Sequence, residues 1–119
     1  MSDFPSHLND VFRLFGPVEV RRMFGGYGIY REGIMFGLLA EETLYLKADA
    51  KNAPEFLKQG LAQFEYRRKG KVTRLSYYTA PATVMEDCTE AVRWGRSSFE
   101  AALRGLATKR RRGITPRQA

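Results

Sequence analysis

RRMFGGYGIYREGIMFGLL, residues 21–39, decides the fold. Just before it, Val18 and Val20 alternate with Glu19 and Arg21, the period-2 pattern of a half-buried strand. This predicts a first strand running to about Phe24. Gly25-Gly26 interrupts it. Adjacent glycines suit backbone with positive φ, or an approach so close that a Cβ would block it. Tyr27-Gly28-Ile29-Tyr30 resumes as a second strand. Glu32-Gly33 then predicts a tight turn, with Gly33 where a hairpin demands positive φ. Ile34 to Leu39 is a continuous apolar run, which places the third strand mid-sheet or under cover on both faces. After Glu41-Glu42, the segment Thr43 to Lys47 alternates, with Leu44 and Leu46 on one face. Short turns between such strands imply an antiparallel meander.

Upstream, Leu8, Val11, Phe12 and Phe15 form one helical stripe, which Gly16-Pro17 ends. Downstream, Asn52-x-x-Glu55 reads as a capping box for a short helix with Phe56 and Leu57 inward and Gly60 at its close. Phe64 to Tyr66 and Val72 to Tyr78 predict a hairpin around Lys69-Gly70. Pro81 breaks the chain, and Asp87-x-x-Glu90 opens the last helix. The helical repeat there puts Cys88, Ala91, Val92, Gly95, Phe99, Ala102, Leu103 and Leu106 on one stripe, with Trp94 beside it in a lane of small residues. On the outer side, Arg96–Glu100 and Glu100–Arg104 have i,i+4 spacing. The predicted order is α-β(4)-α-β(2)-α, an α+β fold with helices packed on a mainly antiparallel sheet.

The chain of 119 residues reads as one domain, residues 1–106, followed by a basic tail, 107–119, without fixed structure. A single cysteine excludes an intrachain disulfide and fits a reducing cytoplasm. MSDFPSHLND at the start lacks the basic and apolar blocks of a secretory signal, and no apolar run is long enough to span a membrane. The net charge is +7, and five of the 20 basic residues (Lys109, Arg110, Arg111, Arg112 and Arg117) follow residue 106 with no acid among them. The first 106 residues therefore hold 15 bases against 13 acids, and the folded body is close to neutral.

Arg21-x-Met23-Phe24-Gly25-Gly26-x-Gly28-Ile29-Tyr30-x-x-Gly33-x-Met35-Phe36, followed by Leu44-Tyr45-Leu46-Lys47-x-Asp49, resembles the N-terminal domain of TfoX, the bacterial regulator of competence genes. Phe64-x-Tyr66, Ser76-Tyr77-Tyr78, Pro81 and Trp94 extend the resemblance over residues 8–104. It implies a fold similar to that of type III secretion chaperones, often a homodimer. It also implies a non-enzymatic role in transcription, exerted by assisting another DNA-bound factor. Arg21, Met23, Phe24, Gly25, Gly26, Gly28, Tyr30 and Gly33 are then structural motif positions. The sequence leaves no room after its last helix for the helical C-terminal domain of full-length TfoX; the basic tail stands there instead.

Candidate sites each carry two readings. Gly25-Gly26 as a phosphate cradle lacks a following helix and a P-loop lysine, so a strand bend is favoured. Arg67, Arg68, Lys69, Lys71 and Arg74 gather on the second hairpin near Tyr66, Tyr77 and Tyr78. Cations between aromatics suit nucleic acid, whereas a charged tip also discourages edge pairing. Lys109, Arg110, Arg111 and Arg112 read either as an electrostatic arm or as a solubilising terminus. Arg21 and Arg22 fall on opposite faces of the first strand, so one is expected to point inward or across a sheet edge; Arg21 reads as a salt bridge orienting the glycine bend or as a ligand or partner contact. Trp94 is an interface anchor or an internal packing residue. His7 is the sole histidine and Cys88 the sole cysteine, so neither a His-based acid–base pair nor a structural zinc site is expected, and no cofactor is implied. The expected partners are a protein, such as a transcription factor, a second copy of the chain, and weakly bound DNA. A dimeric, chaperone-like interaction module without a nucleic-acid role is the competing reading.

Overall fold

Six strands form one sheet in this computed structural model, which describes residues 4–23 and 25–113, with side chains over 7–23 and 25–109. The strands β1 (Glu19–Met23), β2 (Gly26–Arg31), β3 (Ile34–Ala40) and β4 (Thr43–Lys47) make the expected meander, and β5 (Gln63–Arg68) and β6 (Lys71–Thr79) the expected hairpin. The order across the sheet is β1-β2-β3-β4-β6-β5, and every pair of neighbours is antiparallel. Four helices accompany it: α1 (Phe4–Val11), α2 (Ala53–Lys58), α3 (Ala82–Glu86) and α4 (Cys88–Gly113). The α+β class stands. The short α3 is an element that the periodicity does not announce; it starts at Pro81 and stops where Asp87 turns extended.

The turns carry the left-handed backbone that suits a twisted hairpin: Glu32 and Gly33 have φ of 52° and 77°, Lys69 and Gly70 of 49° and 78°. Glu41 and Glu42 adopt the same region at 48° and 61° without a glycine. The glycine pair serves both of its expected uses. Gly25 has φ 77°, and at Gly26 an added Cβ would collide with the Leu39 carbonyl oxygen of β3.

β3 is not a uniform strand. Ile29 pairs with Gly37 and Tyr30 with Met35, so Phe36 is an extra residue in the ladder. This bulge reverses the alternation. Phe36 and Leu39, which strict alternation would split, both enter the core, whereas Met35 and Leu38 both line the opposite face. Phe36 meets Phe12, Phe15 and Phe99 edge-on, with centroids 5.5, 5.3 and 6.3 Å away. Phe56 of α2 packs between Tyr78 and Trp94 at 5.3 and 5.1 Å. Phenylalanines from α2 and from the turn after α1, with rings from α4, thus meet one sheet face.

Several local expectations need correction. The buried face of α4 is centred on Ala91, Trp94, Ser98 and Ala101, while Leu103 and Leu106 are exposed. The predicted stripe is buried at Ala91, Gly95 and Ala102, with Val92 and Phe99 packed against the core, and the lane adds Trp94, Ser98 and Ala101 to the same face; a Cβ on Gly95 would lie 3.1 Å from the Phe12 ring. Leu57 is likewise exposed. The capping box of Asn52 and Glu55 does not form. Buried Asn52 instead accepts the Asp49 N–H at 2.7 Å and donates to the Lys47 carbonyl at 3.1 Å and the Ser97 hydroxyl at 3.2 Å, tying the loop to α4. Asp87 accepts the Thr89 N–H at 2.9 Å, but Glu90 accepts the Trp94 indole N–H at 3.3 Å. Residues 107–113, expected to lack fixed structure, continue α4. Ala107, Lys109 and the arginines favour helix, and Arg104 on the preceding turn is anchored. Its guanidinium donates to both Asp49 carboxylate oxygens, at 2.6 and 2.9 Å, rather than pairing with Glu100.

Two predictions follow from this packing. Gly26→Ala should destabilise the domain by about 1–3 kcal/mol, read as a fall in the urea midpoint, because the β1–β2 turn must move off β3. Asp49 offers a pH test. The Arg104 hydrogen bond, opposed by burial and aided by the Asn52 and Lys51 N–H groups, lowers its carboxyl from 3.8 to about 2. A folded value below the unfolded one stabilises the fold above pH 3.8, and this contribution disappears as pH falls toward 2. Urea midpoints measured across that window should drop in the natural chain and drop less in Arg104→Gln.

Candidate functional site

Because the helices occupy one face of the sheet, the other face shows what the domain offers to partners. Two surfaces there concern function. The first is the tip of the β5–β6 hairpin, where Arg67 to Arg74 are all exposed. Cross-strand pairing sets Arg68 opposite Lys71, on the face shared by Tyr66 and Thr73. Arg67 and Arg74 point to the other side, where both pair with Glu65, at 3.5 and 3.2 Å. The expected cluster of five is therefore split, with Arg68, Lys69 and Lys71 held at the tip and the other two turned toward an acid. The aromatics divide as well. Tyr78 stacks on Phe56 inside the domain, and Tyr77 lies on the open sheet face, so Tyr66 is the ring of the three nearest the basic tip.

The second surface is the open sheet face itself. The sheet curls, and side chains from both hairpins (Met23, Met35, Leu38, Phe64, Leu75 and Tyr77) line one apolar concavity of about 340 Å³. Gly28 lets two of the lining side chains pack down on β2, since a Cβ there would lie 2.7 Å from Met23 Sδ and 3.3 Å from Met35 Sδ. Burial, with Tyr30 nearby, pushes the Tyr77 phenol up to about 12, so it stays neutral. Met35 and Tyr77 also border a larger hollow, about 670 Å³, beneath the end of α4, where Lys47 and Lys109 stand. Lys47 rests on the Tyr77 ring at 5.1 Å and donates to the Ser76 hydroxyl at 3.0 Å. Burial lowers its ammonium from the usual lysine range; Asp49 raises it and Lys109 lowers it further. Periodicity did not find this surface, because the bulge at Phe36 decides which face Met35 and Leu38 join.

The sequence profile of the TfoX N-terminal domain matches residues 10–102. The chain belongs to the TfoX N-terminal domain family. It is 27% identical over 97 residues to Protein Sxy of Escherichia coli (strain K12), covering 82% of this chain and 46% of that protein. It is 28% identical over 106 residues to DNA transformation protein TfoX1 of Aliivibrio fischeri (strain ATCC 700601 / ES114), covering 80% of this chain and 51% of that one. The chain thus spans about half the length of the curated relatives it matches.

In this TfoX-type domain the motif positions have structural duties. Gly25 and Gly26 shape the first hairpin, Gly28 leaves room for Met23 and Met35, and Gly33 makes a turn. Met23 lines the concavity. Phe24 lies outside the described residues. Of the two expected settings for Arg21 and Arg22, inward or at a sheet edge, the structure has the second: β1 is an edge strand and both are exposed. Arg21 pairs with Glu19 at 3.0 Å and lies over Tyr30 at 4.5 Å, rather than bracing the glycine bend. The side chains of Arg110, Arg111 and Arg112 lie outside the described residues. His7 is exposed, and the half-buried Cys88 thiol lies 4.0 Å from the Asp10 carbonyl. Among the described residues no group of three or more His, Cys, Asp or Glu could hold a metal ion, and no helix is long and apolar enough to cross a membrane.

Trp94 takes the internal role and not that of a docking anchor. It is 2% exposed, set edge-on against Phe56 with Arg93 over its outer face. Trp94→Ala should therefore cost about 3–5 kcal/mol of folding stability, measured by urea denaturation, at protein concentrations low enough to exclude association.

Proposed function

We propose that this chain is a non-catalytic regulatory domain of the cytoplasm. In this reading it serves competence-type control of transcription by contacting other macromolecules, and its basic hairpin gives a weak, sequence-indifferent contact to nucleic acid. The regulatory part rests on kinship with Sxy and with TfoX1, the latter a DNA transformation protein by name. The single observation behind the nucleic-acid part is the hairpin tip, where Arg68 and Lys71 face each other across strands and Lys69 caps the turn, all exposed. Such a tip neutralises phosphates without reading base edges. Lys109 and the arginines at 110–112 add positive charge on α4. A protein partner, such as a DNA-bound transcription factor, would supply sequence selection. A homodimer remains part of this proposal, built through a surface other than Trp94.

A duplex titration against salt tests the hairpin. Replacing Arg68, Lys69 and Lys71 with glutamine should flatten the slope of log affinity against log salt by about 3, since each phosphate contact contributes about 0.9. Glu65→Gln, which releases Arg67 and Arg74, should steepen it. Absence of duplex binding at about 50 mM salt, where electrostatic contacts are strong, would overturn the nucleic-acid reading.

A further inference from the structure

We propose that the open sheet face is a docking groove for an acidic amphipathic segment of a protein partner. This inference rests on reading the chain as a domain that works by contact, and it assigns a surface and a chemistry to that contact. The groove has two connected parts. The concavity between the hairpins is apolar, with Met23, Met35 and Leu75 among its walls. Through Met35 and Tyr77 it opens into the hollow under α4, where Lys47 and Lys109 stand. The acid bordering that hollow, Asp49, already holds Arg104 with both oxygens. The cationic end is therefore left with net positive charge, and a carboxylate-bearing segment answers it.

The apolar part takes the segment's bulky side chains. Methionine suits this task, because its unbranched thioether repacks around different shapes. Groove recognition of an amphipathic helix uses anchors at i, i+3, i+4 and i+7, with the charged side left at the rim. A second copy fits less well. Two identical concavities laid face to face enclose a void, and close packing is what stabilises an interface. Single-stranded nucleic acid fits less well too, because base stacking needs open ring faces. Tyr45 and Phe64 meet at 4.8 Å and 63°, and Lys47 covers the Tyr77 ring.

The probe is a panel of fluorescein-labelled helical peptides with Leu, Phe or Trp at the anchor positions and Glu elsewhere, matched by a panel with Lys for Glu. Fluorescence polarisation with the full chain should show micromolar-range binding of the best Glu peptide, at least about tenfold tighter than its Lys counterpart and weakened by salt. Leu75→Asp should weaken it at least about tenfold, as loss of a central contact does. Lys47→Glu, a change at the groove's rim, should weaken it as well, and unchanged urea midpoints identify the variants that keep their fold. The proposal is overturned if no Glu peptide binds, if the Lys panel binds equally, or if folded Lys47→Glu binds as the natural chain does. It is also overturned if an oligo-dT strand displaces the peptide, or if sedimentation shows a dimer that Leu75→Asp dissolves. These variants leave Arg68, Lys69 and Lys71 in place, so failure here and failure of the duplex titration are separate results.

Discussion

One extra residue in one strand sets the terms for everything else. Phe36 occupies a bulge in β3, and by doing so brings its ring into the core together with Leu39. The ring is where the turn after α1, α4 and the sheet meet, with Phe12, Phe15 and Phe99 around it. Removing the bulge would move either Phe36 or Leu39 to the far face, since one step of register exchanges the two faces of a strand. The same device sends Met35 and Leu38 the other way. The core and the outward concavity are thus two results of a single irregularity.

An antiparallel sheet can be covered on one side and open on the other. Here the open side is not polar, as an ordinary solvated face would be. The strands curl and share their apolar side chains across the fold of the sheet, which lowers exposure without a second layer of helices. Leu38 is 8% exposed although no helix lies over it. Such curvature accompanies bulges, which increase local twist. Gly28 contributes by leaving room for two methionines on its own face.

Much of the architecture was legible because it rests on local rules. Alternation marked the strands, and Glu32-Gly33 and Lys69-Gly70 marked two turns whose left-handed backbone is observed. Gly26 was legible as a close approach, because a missing side chain is itself a signal. What stayed hidden depends on tertiary partners. The capping box at Asn52 lost to the hydrogen bonds that its amide donates to the Lys47 carbonyl and to the hydroxyl of Ser97, a residue distant in sequence. The buried face of α4 is wider than its apolar stripe, taking in Trp94, Ser98 and Ala101 beside Ala91 and Ala102, while Leu103 and Leu106 at the stripe's end stay exposed. The basic hairpin was legible as a cluster, but its division by Glu65 required knowing that Arg67 and Arg74 share that residue's face.

The connection of the chain gives α4 a further consequence. It leaves the ribosome after the whole sheet, yet Trp94, Ala91 and Ala102 close the core over strands made well before it. At elongation rates of about 5–20 residues per second, the interval from Leu46 to Ala102 lasts on the order of seconds. Throughout it, Ile29, Phe36 and Leu46 have only the N-terminal segment with Phe12 and Phe15 for cover. Vectorial synthesis therefore leaves the core open on one side until α4 arrives. A nascent chain stalled before that helix emerges would present its sheet to whatever holdase or neighbouring polypeptide arrives first.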